Sequence, residues 1–295
     1  MFRMRSNLVV QTWEVLIPVG GGEVGAVVTA PPTPRAVLLI HPATGVPVKI
    51  YRAFRECAAE QGYATVTYGY RGTGGASGHP IDHPEVRMRD WMDEDVPAVT
   101  TWAQRRWSGL PMVALGHSVG GHALALNRGS KELRGFITMA SHAGVTSQVP
   151  HLMERAKLWL IFNGPGPLTA RLLGYFPTKA IGMGEDTPRD MWLEWAGWTR
   201  KRHYFFDDPS MDATARAAEV TGPVLAIGFT DDPWATPQQI DAITDRLVNA
   251  EVKRRTYAPR DFAVERIGHL DFLRPELRET LWPILIAWFD ERIER

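Results

Sequence analysis

The segment Gly116-His117-Ser118-Val119-Gly120 constrains this chain more than any other sequence feature. It lies between an apolar run at residues 112–115, typical of a buried strand, and a helical pattern at residues 121–126. A serine on a sharp strand-to-helix turn has crowded backbone dihedrals, so its neighbours must be small, and glycines flank it here. The first N–H groups of such a helix point towards the space beside the hydroxyl. The context therefore favours a nucleophilic Ser118 over a structural serine turn.

Short apolar runs alternate with helical patterns along most of the chain. The first two runs flank Gly20-Gly21-Gly22 and predict an antiparallel hairpin, whereas helices separate the later ones. One of these helices is predicted to begin at Asp95 to Pro97, because proline is favoured in a first helical turn. The alternation predicts an α/β fold with a mostly parallel sheet and helices on both faces. The predicted strands are 13–19, 23–29, 36–40, 64–68, 112–115, 136–140, 224–229 and 251–257.

The alternation stops between residues 148 and 212. Proline and glycine breakers divide this segment into short helical pieces. We expect residues 1–147 and 213–295 to form one α/β core, with 148–212 as an inserted helical cap. The tryptophans of the insertion either pack it onto the sheet or line an apolar ligand pocket, and both can be true. Four of the eleven tryptophans fall there: Trp159, Trp192, Trp195 and Trp198.

Suitable partners for a serine nucleophile follow two later predicted strands. Asp231 and Asp232 come directly after the strand at 224–229, and His269 follows the strand at 251–257. A serine hydroxyl needs a base to become a good nucleophile, and the base needs an acid to orient it. Because loops at the carboxyl edge of a parallel sheet converge, these distant residues can meet. The chain order serine, aspartate, histidine is the one expected for a nucleophile-elbow hydrolase.

With these features the chain resembles the α/β-hydrolase family, and within it the broad group of esterase-like serine hydrolases. The resemblance covers nearly the whole chain, and segment 148–212 occupies the place of the family's variable cap. It implies that Ser118 is the nucleophile and His269 the general base. The acid is Asp231 or Asp232. Relatives with an Asp-Asp-Pro sequence use the second aspartate, so Asp232 is preferred, and Asp231 becomes a turn or capping residue.

The resemblance also implies an oxyanion hole made of two backbone N–H groups. One belongs to Val119, and the other to the loop His41-Pro42-Ala43-Thr44-Gly45. Similar enzymes often carry His-Gly at the start of this loop, but Pro42 has no N–H to donate. We therefore expect Ala43 to be the second donor, with Thr44 as the alternative. In a second glycine-rich loop, Arg71 is expected to anchor neighbouring backbone.

These residues together predict hydrolysis of a carboxylic ester with an apolar acyl or alcohol part, through an acyl-enzyme. Amidases, peptidases, thioesterases, lactonases and acyltransferases use the same triad and remain open. The intact triad argues against a non-catalytic binding protein of the same fold. A third possibility is that segment 148–212 binds a partner. In that case we expect its tryptophans to form an exposed face. The side chains expected to contact substrate are Thr44, His117, Trp192, Trp195 and Trp234.

Composition and charge argue against several other classes. The 295 residues contain 33 Lys and Arg and 33 Asp and Glu, and so lack the basic footprint of a nucleic-acid-binding protein. The single cysteine, Cys57, excludes an intrachain disulfide and a multi-cysteine metal site. We expect no cofactor and no metal. With no targeting segment and no membrane-spanning run, we expect a cytoplasmic protein that acts on a small molecule, with a homodimer one possible state.

Overall fold

A computed structural model describes residues 9–294. The strands are β1 Gln11–Val19, β2 Gly22–Ala30, β3 Ala36–His41, β4 Tyr63–Tyr68, β5 Met112–His117, β6 Phe136–Met139, β7 Tyr175–Phe176, β8 Thr187–Pro188, β9 Val224–Phe229 and β10 Val252–Tyr257. The helices are α1 Arg52–Glu60, α2 Met88–Asp90, α3 Val96–Arg106, α4 Val119–Ala125, α5 Leu152–Asn163, α6 Pro165–Leu173, α7 Arg189–Trp198, α8 Ala213–Ala218, α9 Pro237–Thr244 and α10 Trp282–Ile293.

One eight-stranded sheet runs in the order β1-β2-β4-β3-β5-β6-β9-β10. The hairpin of β1 and β2 joins β4 in antiparallel pairing, and all further pairs, from β4 to β10, are parallel. Strands β3, β4, β5, β6 and β9 are buried along their whole length, because separate apolar clusters cover the two faces of the sheet. The predicted α/β fold with a mostly parallel sheet is confirmed.

The sequence predicted the start of α3, the helix that precedes β5, but not the helical turns before it. Helical structure starts at Met88 and passes through a π-helical turn, Trp91–Asp95, before it continues as α3. The wider turn places Pro97 in the first turn of α3, where a missing N–H leaves no helical bond unmade. The predicted start of α3 at Asp95 to Pro97 is confirmed, but the sequence did not indicate the helical residues from Met88 to Asp95 that lead into it.

Segment 148–212 contains α5, α6, the β7–β8 ribbon and α7, connected by short 3-10 turns. Its first part has a small apolar cluster of its own, centred on Phe162 and Trp192. Trp198 and Tyr204, near its end, belong instead to the large cluster on one face of the main sheet. The packing of the segment is therefore continuous with the sheet at its C-terminal end.

Arg71 fixes its loop to neighbouring backbone, as the sequence predicted. Its Nε donates to Asp95 Oδ1 at 2.7 Å, and its backbone N–H donates to Asp95 Oδ2 at 2.9 Å. The guanidinium also donates to Glu94 and to the Gly20 carbonyl in the β1–β2 turn. Within residues 9–294, none of the helices has the length and hydropathy needed to cross a bilayer.

Candidate active site

Ser118 occupies a strained turn between β5 and α4. Its backbone angles are φ 52° and ψ −113°, a left-handed conformation that is uncommon for a residue with a side chain. The turn is tied to the sheet, because the Ser118 N–H donates to the Met139 carbonyl at 3.0 Å. A Cβ atom at Gly120 would lie 2.3 Å from the His41 carbonyl oxygen, so glycine is required there. The geometry is that of a nucleophile elbow.

His269 and Asp232 form a buried pair at the same edge of the sheet. His269 Nδ1 lies 2.7 Å from Asp232 Oδ2, and the Asp232 side chain is fully buried. The other oxygen, Oδ1, accepts the N–H groups of Trp234 at 2.9 Å and Ala235 at 3.1 Å. Burial alone would raise the pKa of Asp232, but the bond to His269 and these donors together hold it below its ordinary value. The carboxylate therefore stays ionised and orients the proton of His269 onto Nδ1, which leaves Nε2 to accept one.

Asp231 has a different role from its neighbour. Its Oδ2 accepts the N–H groups of Ile267 at 2.8 Å and Gly268 at 3.0 Å, and so holds the backbone of the loop that carries His269. Of the two aspartates that the sequence left open, the structure brings Asp232 to the imidazole and uses Asp231 to shape the loop.

A cavity of about 750 Å³ opens beside these groups, and both Ser118 and His269 line it. Its charged lining residues all belong to the loops that carry Asp232 and His269: Asp231, Glu265, Arg266 and Asp271. The wall contributed by segment 148–212 has no formally charged side chain. That wall consists of Val149, Leu158, Phe162, Thr178, Gly182, Met183, Gly184, Trp195 and Thr199. Such an apolar wall with a few polar groups suits an uncharged organic ligand.

The backbone donors near Ser118 differ in their availability. The Ala43 N–H donates to Tyr51 Oη at 2.8 Å in a buried bond, so it is engaged within the protein. By contrast, the N–H groups of Val119 and Thr44 donate to no group in the described part of the chain. Thr44 also lines the cavity together with Ser118. Of the two donors that the sequence left open in this loop, Thr44 has the free amide.

The tryptophans expected to contact substrate divide into two groups. Trp195 and Trp234 line the cavity, as does Thr44. Trp192 does not, because it is fully buried and stacked between Phe162 and Phe176, with ring centroids 4.9 and 3.6 Å away. The expectation for Trp192 is therefore corrected. The helical spacing places Trp192 and Trp195 on neighbouring positions, but only the tertiary packing decides which of them reaches the cavity.

His117 was also expected to contact substrate, and this expectation is corrected as well. The side chain is fully buried beneath the site and does not line the cavity. Its Nδ1 lies 2.8 Å from Tyr51 Oη, and its Nε2 lies 2.9 Å from the His269 carbonyl oxygen. Its position next to Ser118 suggested exposure, but in a strand the side chains of successive residues point to opposite faces.

The sequence reasoning missed His142. This residue lines the cavity, and its ring meets the His269 ring edge-on with centroids 5.7 Å apart. Burial and then the neighbouring His269 lower the pKa of His142 to about 3, so it is neutral. A usable signal existed, because His142 follows β6 at the same edge of the sheet as the other site residues. In residues 9–294 no group of three or more His, Cys, Asp or Glu side chains is placed to hold a metal ion.

Comparison with known proteins identifies the family of this chain. A family model, Hydrolase_4, described as serine aminopeptidase, S33, matches residues 32–259. A carboxyl esterase from Bacillus coagulans is similar in structure, with a TM-score of 0.63, 17% identity, and coverage of 96% of this chain and 99% of that chain. A monoglyceride lipase from Saccharomyces cerevisiae has a TM-score of 0.66 and 16% identity, over 99% of this chain and 98% of that chain. Among curated proteins no match is found.

The two lines of comparison carry different weight. At such low identities the solved structures support the shared fold alone. The family model, however, spans most of the sequence, from the start of the parallel sheet to just past β10. The chain therefore belongs to the α/β-hydrolase family, through its Hydrolase_4 branch of serine hydrolases, and is a hydrolase.

Proposed function

We propose that this protein hydrolyses uncharged carboxylic esters with an apolar acyl part, through an acyl-enzyme on Ser118. One observation carries the proposal. The 2.7 Å bond between His269 Nδ1 and Asp232 Oδ2 lies at the cavity into which the strained Ser118 turn opens. A nucleophile, a base and an orienting acid are the groups that acyl transfer requires.

The reaction proceeds in two halves. Ser118 Oγ attacks the ester carbonyl carbon while His269 Nε2 takes the hydroxyl proton, and the resulting imidazolium is stabilised by ionised Asp232. The tetrahedral intermediate collapses, the C–O bond to the alcohol breaks, and His269 returns the proton to the leaving oxygen. A water molecule then attacks the acyl carbon with His269 again as base, which releases the acid and restores Ser118.

The oxyanion accepts hydrogen bonds from two backbone amides in this proposal. One is Val119 N–H at the start of α4, and the other is Thr44 N–H rather than the engaged Ala43 amide. Each such donor contributes about 3 kcal/mol to transition-state stabilisation. This assignment differs from the first expectation of the sequence because the Tyr51 hydroxyl occupies the Ala43 N–H.

Segment 148–212 acts as the cap over this site. The cavity wall that this segment contributes is uncharged. Two hydrogen bonds join the segment to the loop that carries Asp232 and to the oxyanion loop, residues 41–45. The Trp234 indole donates to Glu154 Oε1 at 3.0 Å, and the Glu185 N–H donates to the Gly45 carbonyl at 2.6 Å. The cap therefore lies against both the Asp232 loop and the oxyanion loop, where it shields the reacting carbonyl from bulk water.

The cavity favours an ester over a peptide with a free amino terminus. A cationic amine needs an available carboxylate, but Asp231 is bonded to two backbone N–H groups and Asp271 is paired with Arg266. Of the carboxylates that line the cavity, only Glu265 has no bonding partner within residues 9–294, and its side chain is exposed to solvent. An uncharged acyl chain, by contrast, meets apolar side chains such as Leu158 and Phe162.

A panel of p-nitrophenyl esters of increasing acyl length tests the proposal, run beside a p-nitroanilide, a thioester and a lactone. We expect kcat/KM to rise about fourfold for each added methylene, from ~0.8 kcal/mol per buried CH₂, until the cavity is filled. Ser118→Ala should lower it by several orders of magnitude, whereas the exposed control Ser147→Ala should not change it. Faster cleavage of the anilide, the thioester or the lactone would overturn the ester assignment.

A further inference from the structure

A chain of buried hydrogen bonds connects three loops of the site beneath the cavity. We propose that Tyr51 and His117 are positioning residues that fix the backbone of His269 and hold the Ala43 amide away from the substrate. The inference rests on the proposed roles of Ser118 and His269. Neither positioning residue lines the cavity, so their effect is exerted through the loops they hold.

The bonds form an unbroken sequence. The Ala43 N–H lies 2.8 Å from Tyr51 Oη, Tyr51 Oη lies 2.8 Å from His117 Nδ1, and His117 Nε2 lies 2.9 Å from the His269 carbonyl oxygen. Tyr51 and His117 are both fully buried. Because Tyr51 and His117 are shielded from water, their bonds are strong, and a polar atom of theirs that lost its partner would cost its full desolvation.

The direction of every bond in this chain follows from the chemistry of its ends. The His269 carbonyl can only accept, so His117 Nε2 must carry a proton. Burial lowers the pKa of His117 well below its ordinary value, and His117 is therefore neutral, with Nδ1 as an acceptor. Tyr51 must then donate its hydroxyl proton to Nδ1, and its oxygen accepts the Ala43 N–H. One tautomer of one histidine satisfies all four groups.

The hydrogen-bond chain gives the loop that carries His269 a second anchor. On one side Asp231 holds the N–H groups of Ile267 and Gly268, and on the other side His117 holds the carbonyl of His269. The loop is thus fixed immediately before and at the catalytic residue, while Asp232 fixes the ring. Since His117 is the residue next to Ser118, the same side chain that ends β5 sets the position of the base relative to the nucleophile.

The Tyr51 end of the hydrogen-bond chain determines which backbone amide faces the substrate. Tyr51 lies in the 3-10 helix Val48–Tyr51 that follows the oxyanion loop, and its hydroxyl reaches back to that loop. With Ala43 engaged, the next amide, Thr44, is left without a partner beside Ser118. Tyr51 therefore selects the second oxyanion donor as well as supporting the base.

The substitution Tyr51→Phe tests this inference, because it removes one oxygen atom from a fully buried ring. We expect kcat on a p-nitrophenyl ester to fall about 10- to 100-fold, as for a displacement of catalytic groups by about 1 Å, while KM stays within about twofold. Tyr63→Phe is the matched control, since Tyr63 is equally buried and its hydroxyl bonds to Asp290, outside the site. An unchanged kcat in Tyr51→Phe, or a rise in KM alone, would overturn the inference.

Two substitutions of His117 test the bond at the His269 end of the hydrogen-bond chain. His117→Gln keeps a terminal N–H₂ that can reach the His269 carbonyl, whereas His117→Asn is too short to do so. We expect His117→Gln to retain at least tenfold more kcat than His117→Asn. Equal losses in the two variants at equal thermal stability would contradict a positioning role for the bond to His269.

Nitrogen-15 NMR of the imidazole rings gives a readout that does not depend on activity. We expect His117 to be the neutral Nε2–H tautomer throughout pH 5 to 8, and Tyr51→Phe to shift its Nδ1 signal. The Nδ1–H tautomer, or titration of His117 in this range, would overturn the inference. Failure of wild-type Ser118 to react with a fluorophosphonate would instead count against the proposed function, and leave the tautomer result to decide the hydrogen-bond chain.

Discussion

The carboxyl edge of the sheet and segment 148–212 line the same cavity but hold their residues by different means. At the sheet edge, directional bonds orient single atoms, as between Asp232 and His269. In the segment, rings pack face to face, as Trp192 does between Phe162 and Phe176. A hydrogen bond is lost when one of its atoms is replaced, whereas the energy of packing depends on the volume of the side chain. We therefore expect single-atom changes at the edge to alter the rate, and volume changes in the segment to alter stability and substrate fit.

The largest effect is expected from changing one oxygen to nitrogen at the edge. In Asp232→Asn the acceptor that holds His269 Nδ1–H is exchanged for a group that favours the wrong tautomer, and kcat should fall about 10⁴-fold. In Asp231→Asn the remaining carbonyl oxygen can still accept the Ile267 and Gly268 N–H groups, so the loss should stay within about tenfold. Steady-state kinetics on one ester gives both values. Equal losses would mean that the two aspartates share the role of the acid.

Removal of a packed ring in the segment should cost stability instead. Trp192→Ala should lower the free energy of unfolding by about 3–5 kcal/mol, because it leaves a cavity between two aromatic rings. Trp159→Ala is the matched control, since Trp159 is 55% exposed on the same segment and its loss should change stability by less than about 0.5 kcal/mol. Urea denaturation measures both. A small effect of Trp192→Ala would show that the segment is not held by this stack.

Acid should weaken the sheet edge through its buried histidines. Burial lowers the pKa of His41 to about 3, that of His122 to about 4, and that of His142 to about 3. Each folded-state pKa lies below the unfolded value of about 6.5, so the unfolded chain binds more protons and stability falls as the pH falls from about 6.5 towards 4. Each histidine contributes up to about 1.4 kcal/mol per pH unit in that range.

Urea denaturation at pH 7 and at pH 5.5 measures this dependence. The free energy of unfolding should be several kcal/mol lower at pH 5.5, given about 1.4 kcal/mol per pH unit for each buried histidine. In His41→Phe the difference between the two pH values should shrink by the share of one histidine. A free energy of unfolding that does not change between pH 7 and pH 5.5 would contradict the neutral, buried state of these rings.

The smallest effect concerns substrate fit at the cavity wall. Trp195 lines the cavity and stands edge-on to Phe162, with centroids 4.7 Å apart. Trp195→Ala should extend the apolar space and raise the kcat/KM ratio of long to short acyl esters, by up to about tenfold. The rate with the shortest ester should change little, because Ser118 and the bond between His269 and Asp232 are unaltered. A uniform loss with all esters would place Trp195 in the catalytic machinery rather than in the wall.

The sequence predicted the sheet edge well for a physical reason. Strand periodicity, glycine spacing and chain order are local signals, and a parallel sheet brings strand ends together whatever lies between them. Position therefore predicted Ser118, His269 and one of the pair Asp231 and Asp232, and the family resemblance gave the preference for Asp232. The structure brings Asp232 to His269. The bond between Ala43 and Tyr51 is not local in this sense, because it depends on where a short helix places one hydroxyl.

The segment was less predictable, because ring packing depends on shape in three dimensions. Trp192 and Trp195 share a helix and a composition signal, yet one is buried and the other lines the cavity. The start at Met88 was missed for a related reason, since a π turn leaves no distinctive sequence signal. Patterns of apolar residues give a face of a helix, but they do not give the depth to which each side chain is buried.

Mass spectrometry after reaction with a fluorophosphonate tests the central claim most directly. The probe reacts with an activated serine, so wild-type protein should carry one adduct, on the tryptic peptide that contains Ser118. His269→Ala should lose this adduct, because the hydroxyl then has no base. An adduct on another residue, or undiminished labelling of Ser118 in His269→Ala, would contradict the assignment of this sheet edge as a serine hydrolase active site.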